Sequence, residues 1–283
     1  MIEGEFPKTI WMFWQQGFDA APVLVQKCLA SWRRHNPNWR IVLLDEKNLR
    51  EYVDTASIVK ANRDIISVQS LSNIIRINLL AQRGGVWVDA TCFCCRPLDD
   101  WLPARMGSGF FVFDNPGRER IMASWFMAST NNCRLTKIYC DWVNAFWSEN
   151  HFTNKNARFA RLFIRLAGKI LHKHPRLAAL WTQPLVAKTL KLYPYHWFHY
   201  LFARLVNQNA ECAGLWRQSQ TIRAAGPVRL KHIGLLEPAS AEIKSLIDSR
   251  QDPLYKLNWR FDREVTPGCI LDYLLNPPAA IPA

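Results

Sequence analysis

The chain has 283 residues, 49% of them hydrophobic and 21% charged, with a formal net charge of +13; it can bury a full core, which excludes a disordered or fibrous chain. No stretch approaches ~18 uninterrupted apolar residues, and the start, MIEGEFPKT, lacks the basic-then-apolar order of a secretory signal, so neither a membrane span nor secretion is expected. The eight Cys are scattered and CFCC lacks CxxC spacing, which points to reduced thiols in a cytosolic protein and away from a disulfide framework or a zinc site.

TIWMFW (9–14) reads as a short apolar strand, and residues 22–35 carry Val23, Leu24, Cys28, Leu29 and Trp32 at helical spacing after Pro22. WRIVLLD (39–45) predicts a second strand followed by a polar helix. SVQSLSNIIRINLLAQRGG predicts a strong helix with Leu71, Ile74, Ile75, Asn78, Leu79 and Gln82 on one broad face and Gly84 as its stop. VWVD, CFCC and GFFVFD then read as strands. Strands alternating with helices imply an α/β layer architecture with a largely parallel sheet.

From about residue 133 to about 215 the pattern is mostly helical. No acidic residue lies between Glu149 and Glu211, whereas Lys155, Arg158, Arg161, Arg165, Lys169, Lys173, Arg176, Lys188, Lys191 and Arg204 all do. The positive charge is therefore regional and asks for an anionic partner. On a helix, Arg158, Arg161, Arg165, Lys169 and Lys173 fall within an arc of about 120°. Phe159, Phe163, Leu166, Ile170 and Leu171 fall on the other side, and Leu162 is the exception. This predicts an amphipathic helix within 155–176 that lies on an anionic membrane surface. The closing NPPAAIPA is expected to be disordered.

No GxxxxGK[ST] or GxGxxG is present, so the phosphate cradles of P-loop and dinucleotide-binding proteins are missing. The informative constellation is distributed: aromatic residues closing the first strand, Ser72-Asn73-Ile74-Ile75-Arg76 on a helix, and Asp89 at the end of the next strand. In open α/β sheets ligands sit outside the carboxyl ends of strands, which places Asp89 beside a ligand, with Trp14 and Arg76 flanking it.

The runs PKTIWMFWQQG, LSNIIRINLLAQRGGVWVDATCFCCRPLDDWL and SWFMAST, continued by PYHWFHYLFARLVNQN, GPVRLKH and DPLYKLNWR, resemble the bacterial capsular polysaccharide synthesis proteins. Those are relatives of the DxD-type sugar transferases that include yeast α-mannosyltransferases and clostridial toxin glucosyltransferase domains. The resemblance implies a GT-A glycosyltransferase fold and transfer of a sugar, with retention, from a nucleotide-sugar donor to a saccharide acceptor, one linked to lipid in capsule or surface polysaccharide synthesis. It further implies a single domain over 1–275: a nucleotide-sugar-binding part (about 1–130), a helical acceptor- and membrane-facing part (about 131–215) and a closing segment (about 216–275), before a tail at 276–283. The implied location is cytoplasmic, peripheral at the inner face of the inner membrane.

Position by position, Phe13 and Trp14 correspond to the residues against the nucleotide base. Ser72, Asn73 and Arg76 match the helix that holds the ribose and sugar, Asp89 matches the first carboxylate of the DxD motif, and His199 is the acceptor-side candidate. Asn73 stands where many relatives carry Asp, and Thr91 stands in place of the second Asp. Mn²⁺ or Mg²⁺ on Asp89 and Thr91, with His232 as a further ligand, is the expected counter-charge for the leaving diphosphate; Lys256 and Arg76 are the metal-free alternative. The two departures leave room for a catalytically silent assembly partner, and the positive charge for a nucleic-acid binder. The latter lacks any recognisable reading motif, so no nucleic acid is expected as a partner.

Overall fold

The computed structural model describes residues 6–153 and 158–276, with side chains for all of these except 158–161. Strand β1 (Thr9–Phe13) enters the interior at once and is followed by helix α1 (Val23–His35) and strand β2 (Arg40–Leu44). The polar helix expected next is two short pieces, a one-turn 3-10 helix at Leu49–Glu51 and α2 (Thr55–Val59), the latter capped by the Asp54 carboxylate. Helix α3 (Val68–Arg83), capped by Ser67, leads into β3 (Gly85–Val88) and β4 (Cys92–Cys94). A hairpin of β5 (Phe110–Gly117) and β6 (Arg120–Ser129) completes this part.

The principal sheet has the order β2-β1-β3-β6-β5 and ends on β7 (Ile222–Arg223). It is mixed rather than largely parallel. β1 runs parallel to β2 and β3, and β5 to β7, but β6 is antiparallel to both of its neighbours. The cause is RIMASWFMAS (120–129), which returns alongside β5 through the turn at 118–119 and inserts beside β3. Alternation along the strands sorts the core into two layers: Trp11, Phe13 and Trp87 face one cluster, while Ile10, Met12, Val86 and Val88 face the other.

The first layer is covered by α3, α4 (Arg134–Ser148) and, beyond α5 (Arg158–Leu171) and α6 (Pro175–Ala178), by α7 (Trp197–Gln208) and α8 (Ala210–Gln218). The second is covered by α1. The closing segment of α9 (Ala225–Ile233), α10 (Ala241–Asp248), β8 (Leu254–Lys256) and α11 (Ile270–Leu275) packs on the outer side of α1 and β4. β8 pairs antiparallel with β4, Lys256 opposite Cys92. All eight cysteines are buried free thiols, and burial pushes those of Cys92 and Cys94 up to about 12.

One assignment of faces is corrected. On α5 the inward contacts come from Phe163, Ile164, Ala167 and Leu171, while Leu162, Leu166 and Ile170 are exposed beside Arg165 and Lys169. The helix meets the core through only part of its apolar face, which leaves aliphatic side chains outward. Among the described residues no helix is long and apolar enough to cross a membrane. Lys155 and the tail at 277–283 lie outside the described residues.

The double glycine between α3 and β3 has a backbone cause. Gly84 (φ 64°) ends the helix, and its carbonyl accepts from Trp11 Nε1 at 2.9 Å. Gly85 (φ 91°) lets β3 approach β1 so closely that a Cβ would stand 2.6 Å from the Thr9 carbonyl oxygen. Gly85→Ala combines a disfavoured φ with a backbone clash and is expected to cost at least about 2 kcal/mol, read as a lowered urea midpoint with an unchanged slope.

Candidate active site

Asp89 follows the last residue of β3 directly. Its backbone N–H donates to the Trp125 carbonyl (2.8 Å) and its carbonyl accepts from the Cys92 N–H (2.9 Å), so a tight turn hydrogen-bonded at both ends presents the side chain at the carboxyl end of the parallel strands. Three donors converge on it. Oδ1 accepts from Arg76 Nη2 at 3.1 Å and Trp87 Nε1 at 3.0 Å, and Oδ2 lies 3.3 Å from Lys256 Nζ. Lys256 also donates to the Thr91 hydroxyl. The Asp89 and Lys256 side chains keep 26% and 21% of their surface exposed, so the cluster opens to solvent. One carboxylate against two cations leaves an excess of one positive charge in a half-buried site, an arrangement that attracts anions.

Arg76 is held on every side. Its guanidinium donates to the Ser72 carbonyl (3.2 Å), to Ser72 Oγ (3.0 Å) and to the Ser124 carbonyl, and lies 5.0 Å from the Trp87 ring centre and 5.9 Å from that of Phe198. Burial pulls its pKa below the ordinary arginine value, and Asp89 opposes that. Burial likewise pushes the Asp89 carboxyl upward, but Arg76, Lys256 and the hydrogen bonds from Trp87 and Lys256 outweigh it and leave the group below its usual range. Lys256 is the mirror case: burial lowers it, Asp89 raises it further, and the net shift is upward. All three are charged at neutral pH.

Of the other sequence-selected residues, Ser72 joins the cluster through Arg76, and Asn73 is buried beside it on α3. Phe13 does not offer a platform, because its ring is buried in the core with Trp11. Trp14 is half-buried and meets Trp259 edge-on, ring centres 6.1 Å apart. Trp259 is 44% exposed and was missed; an aromatic three residues after Lys256 was the available signal. His199 is buried among His196 and Phe198 and makes no bond to Asp89; burial and then the His196, Arg120 and Arg76 charges hold its pKa well below the usual value, so it is neutral. Its Nδ1 has no hydrogen-bond partner.

Of the expected metal ligands, Asp89 and Thr91 meet at Lys256, and His232 does not join them. Asp89 supplies the carboxylate, but both of its oxygens are engaged by cations, and the Thr91 hydroxyl accepts from Lys256. His232 is exposed on the last turn of α9 and has no bond to either residue. Among the described residues no three His, Cys, Asp or Glu side chains gather as a metal-binding group. Such an ion takes one or two carboxylates from the protein and its other oxygens from water and substrate phosphates, and here two positive charges already hold the Asp89 carboxylate. A hollow of about 240 Å³ lies elsewhere, lined by Trp142, Phe146, Glu149, Lys188 and Arg204. The Asp89 site is distinguished by its charge chemistry.

The sequence model of the family described as "Capsular polysaccharide synthesis protein" matches residues 3–167. The chain is 29% identical over 160 residues to the O-glycosyltransferase braB of Annulohypoxylon truncatum, covering 50% of this chain and 38% of that protein. It is 27% identical over 104 residues to the initiation-specific alpha-1,6-mannosyltransferase of Candida albicans, covering 34% and 27%. The chain thus spans well under half the length of these curated relatives. Among solved structures, the PaToxG glycosyltransferase aligns over 94% of this chain and 89% of its own with 13% identity and a TM-score of 0.43, a likeness too slight to add to the fold described above.

Asp89→Asn strands two cations without a counter-charge and is expected to destabilise the protein by about 2–4 kcal/mol. Because the folded-state pKa of Asp89 is lowered, its contribution is complete above the unfolded value of 3.8 and is lost as pH falls through the folded one. The difference in thermal midpoint between wild type and variant should therefore be constant from about pH 5 to 8 and shrink below about pH 4.

Proposed function

This chain belongs to the capsular polysaccharide synthesis protein family, and from that membership and the Arg76–Asp89–Lys256 cluster we propose that it is a glycosyltransferase using a nucleotide-sugar donor and a saccharide acceptor. The observation that carries the reading is the partly open site with one excess positive charge at the carboxyl end of β1 and β3. A sugar-diphosphate presents to such a site both an anion for the cations and hydroxyls for the Asp89 carboxylate. Trp14 and Trp259 lie in the loops after β1 and β8 and supply aromatic surface for the base.

The reaction is a retaining transfer in bacterial capsule or surface polysaccharide synthesis. The bond from the sugar's anomeric carbon to the diphosphate breaks with its electron pair on the phosphate oxygen. The acceptor oxygen bonds to the same carbon, and its proton passes to the departing diphosphate. No protein base is then needed, which suits a site whose only carboxylate is tied to two cations and whose nearby His199 is neutral but not bonded to it. Tyr195, His196 and His199 stand at the start of α7, where Phe198 meets Arg76, and are assigned to the acceptor side.

The acceptor is lipid-linked, and the enzyme meets it at the cytoplasmic face of the inner membrane through α5. The exposed face there alternates Leu162, Leu166 and Ile170 with Arg165 and Lys169, and Lys173 is exposed in the turn that follows. Aliphatic side chains that enter the headgroup region beside basic ones that pair with lipid phosphates are the make-up of an interfacial helix. Three basic residues at about 1 kcal/mol each favour an anionic over a neutral surface by up to ~100-fold before screening.

Calorimetry with a panel of nucleotide sugars should show one that binds and is slowly hydrolysed, with hydrolysis reduced ~100-fold or more in Asp89→Asn. Binding without turnover on any acceptor would identify a silent assembly partner, the reading that Asn73 and Thr91 support. In flotation assays the protein should rise with phosphatidylglycerol vesicles and not with phosphatidylcholine ones, and Leu166→Glu with Ile170→Glu should abolish this while leaving donor hydrolysis intact.

A further inference from the structure

The metal-ligand pattern is incomplete, yet the place where an ion would sit is not short of positive charge. β8 lies against β4 with Lys256 opposite Cys92, and the Leu257 N–H donates to the Thr91 carbonyl at 2.8 Å. This pairing carries the Lys256 ammonium to the two side chains that a DxD-type site would use, Asp89 Oδ2 at 3.3 Å and the Thr91 hydroxyl. Lysine at 256 and threonine at 91 are thus complementary. A second carboxylate at 91 would compensate a doubly charged ion, whereas a hydroxyl accepts one ammonium hydrogen and leaves the positive charge uncancelled.

Resting on the glycosyltransferase reading above, we propose that Lys256 is the counter-cation of the donor's diphosphate, built into the chain in place of a divalent metal. The ammonium has three N–H donors. Asp89 and Thr91 take two and fix its position, and the third is free for a phosphate oxygen. As the anomeric carbon–oxygen bond breaks and its electron pair moves to the diphosphate, the ammonium stands beside the growing charge without reorganising. Arg76 contributes from behind Asp89, and its neutralisation of that carboxylate keeps Lys256 from being cancelled. A metal and the ammonium would compete for the same Asp89 oxygen, so added metal offers the site nothing it lacks.

The test uses the full chain with UDP-, GDP-, dTDP- and ADP-sugars, by calorimetry and donor hydrolysis, in excess EDTA and then in Mn²⁺. One of them should bind and be hydrolysed equally, within about twofold, in both. Lys256→Met should weaken its binding by about 10- to 100-fold, the loss of one charge-assisted contact, and Lys256→Arg should restore most of it. Lys256→Ala combined with Thr91→Asp should make binding depend on Mn²⁺. Binding or hydrolysis by wild type only with Mn²⁺ would overturn the role of Lys256 and leave the transferase reading standing. An unaltered affinity in a folded Lys256→Met would do the same. Failure of every donor under both conditions overturns the transferase reading itself and this inference with it. The EDTA comparison needs no variant, so a misfolded Lys256→Met leaves the outcome decidable.

Discussion

A single carboxylate shared between two cations organises this molecule. Asp89 is hydrogen-bonded by Trp87 from its own strand, by Arg76 from α3 and by Lys256 from β8, so three parts of the chain are held at one pair of oxygen atoms. Such a cluster is costly to bury unless it is complete, because a missing partner leaves an uncompensated charge. The surroundings are arranged accordingly. Ser72 and Ser124 take three further Arg76 donors, and the Trp87 and Phe198 rings close over its guanidinium. The arginine has almost no freedom left, whereas Asp89 and Lys256 keep an open side. Rigidity behind and access in front suit a group that must meet a charged ligand without first rearranging.

The two layers of the core serve this arrangement. Trp87 faces the α3–α4–α7 layer and thereby meets both Arg76 and Asp89, while its neighbours Val86 and Val88 anchor β3 in the opposite layer. The turn after Val88 is fixed by the Trp125 carbonyl on β6. The antiparallel hairpin that makes the sheet mixed is therefore also what sets the height of Asp89 above the strand ends.

What the sequence revealed divides by distance along the chain. The double glycine, the apolar run and the carboxylate of GGVWVD are neighbours, and the first two meet local demands: a left-handed turn and a buried strand. The α3 pattern was equally plain, and Arg76 four residues after Ser72 follows from helix geometry. β6 is hard to read in the sequence because its apolar run is punctuated by Ser124 and follows β5 closely, with only the turn at 118–119 between them. Phe13 and Trp14 are alike in composition and adjacent, and only the pleat sends one ring to the core and leaves the other half-exposed. On α5, periodicity sorted basic from apolar residues but could not tell how wide a stripe the core below would accept, so Leu166 and Ile170 were placed on the wrong side. The partnership of Lys256 with Asp89 and Thr91 depends on β8 pairing with β4 across more than 160 residues, and no local pattern encodes it.

That pairing has a consequence for how the protein comes into being. A ribosome delivers β1, α3 and Asp89 long before residue 256, so during synthesis the carboxylate has only Arg76 and the emerging pocket is electrically neutral. It turns positive when β8 docks on β4. Until residue 256 has been made, the Asp89 site of the nascent polypeptide carries no excess positive charge.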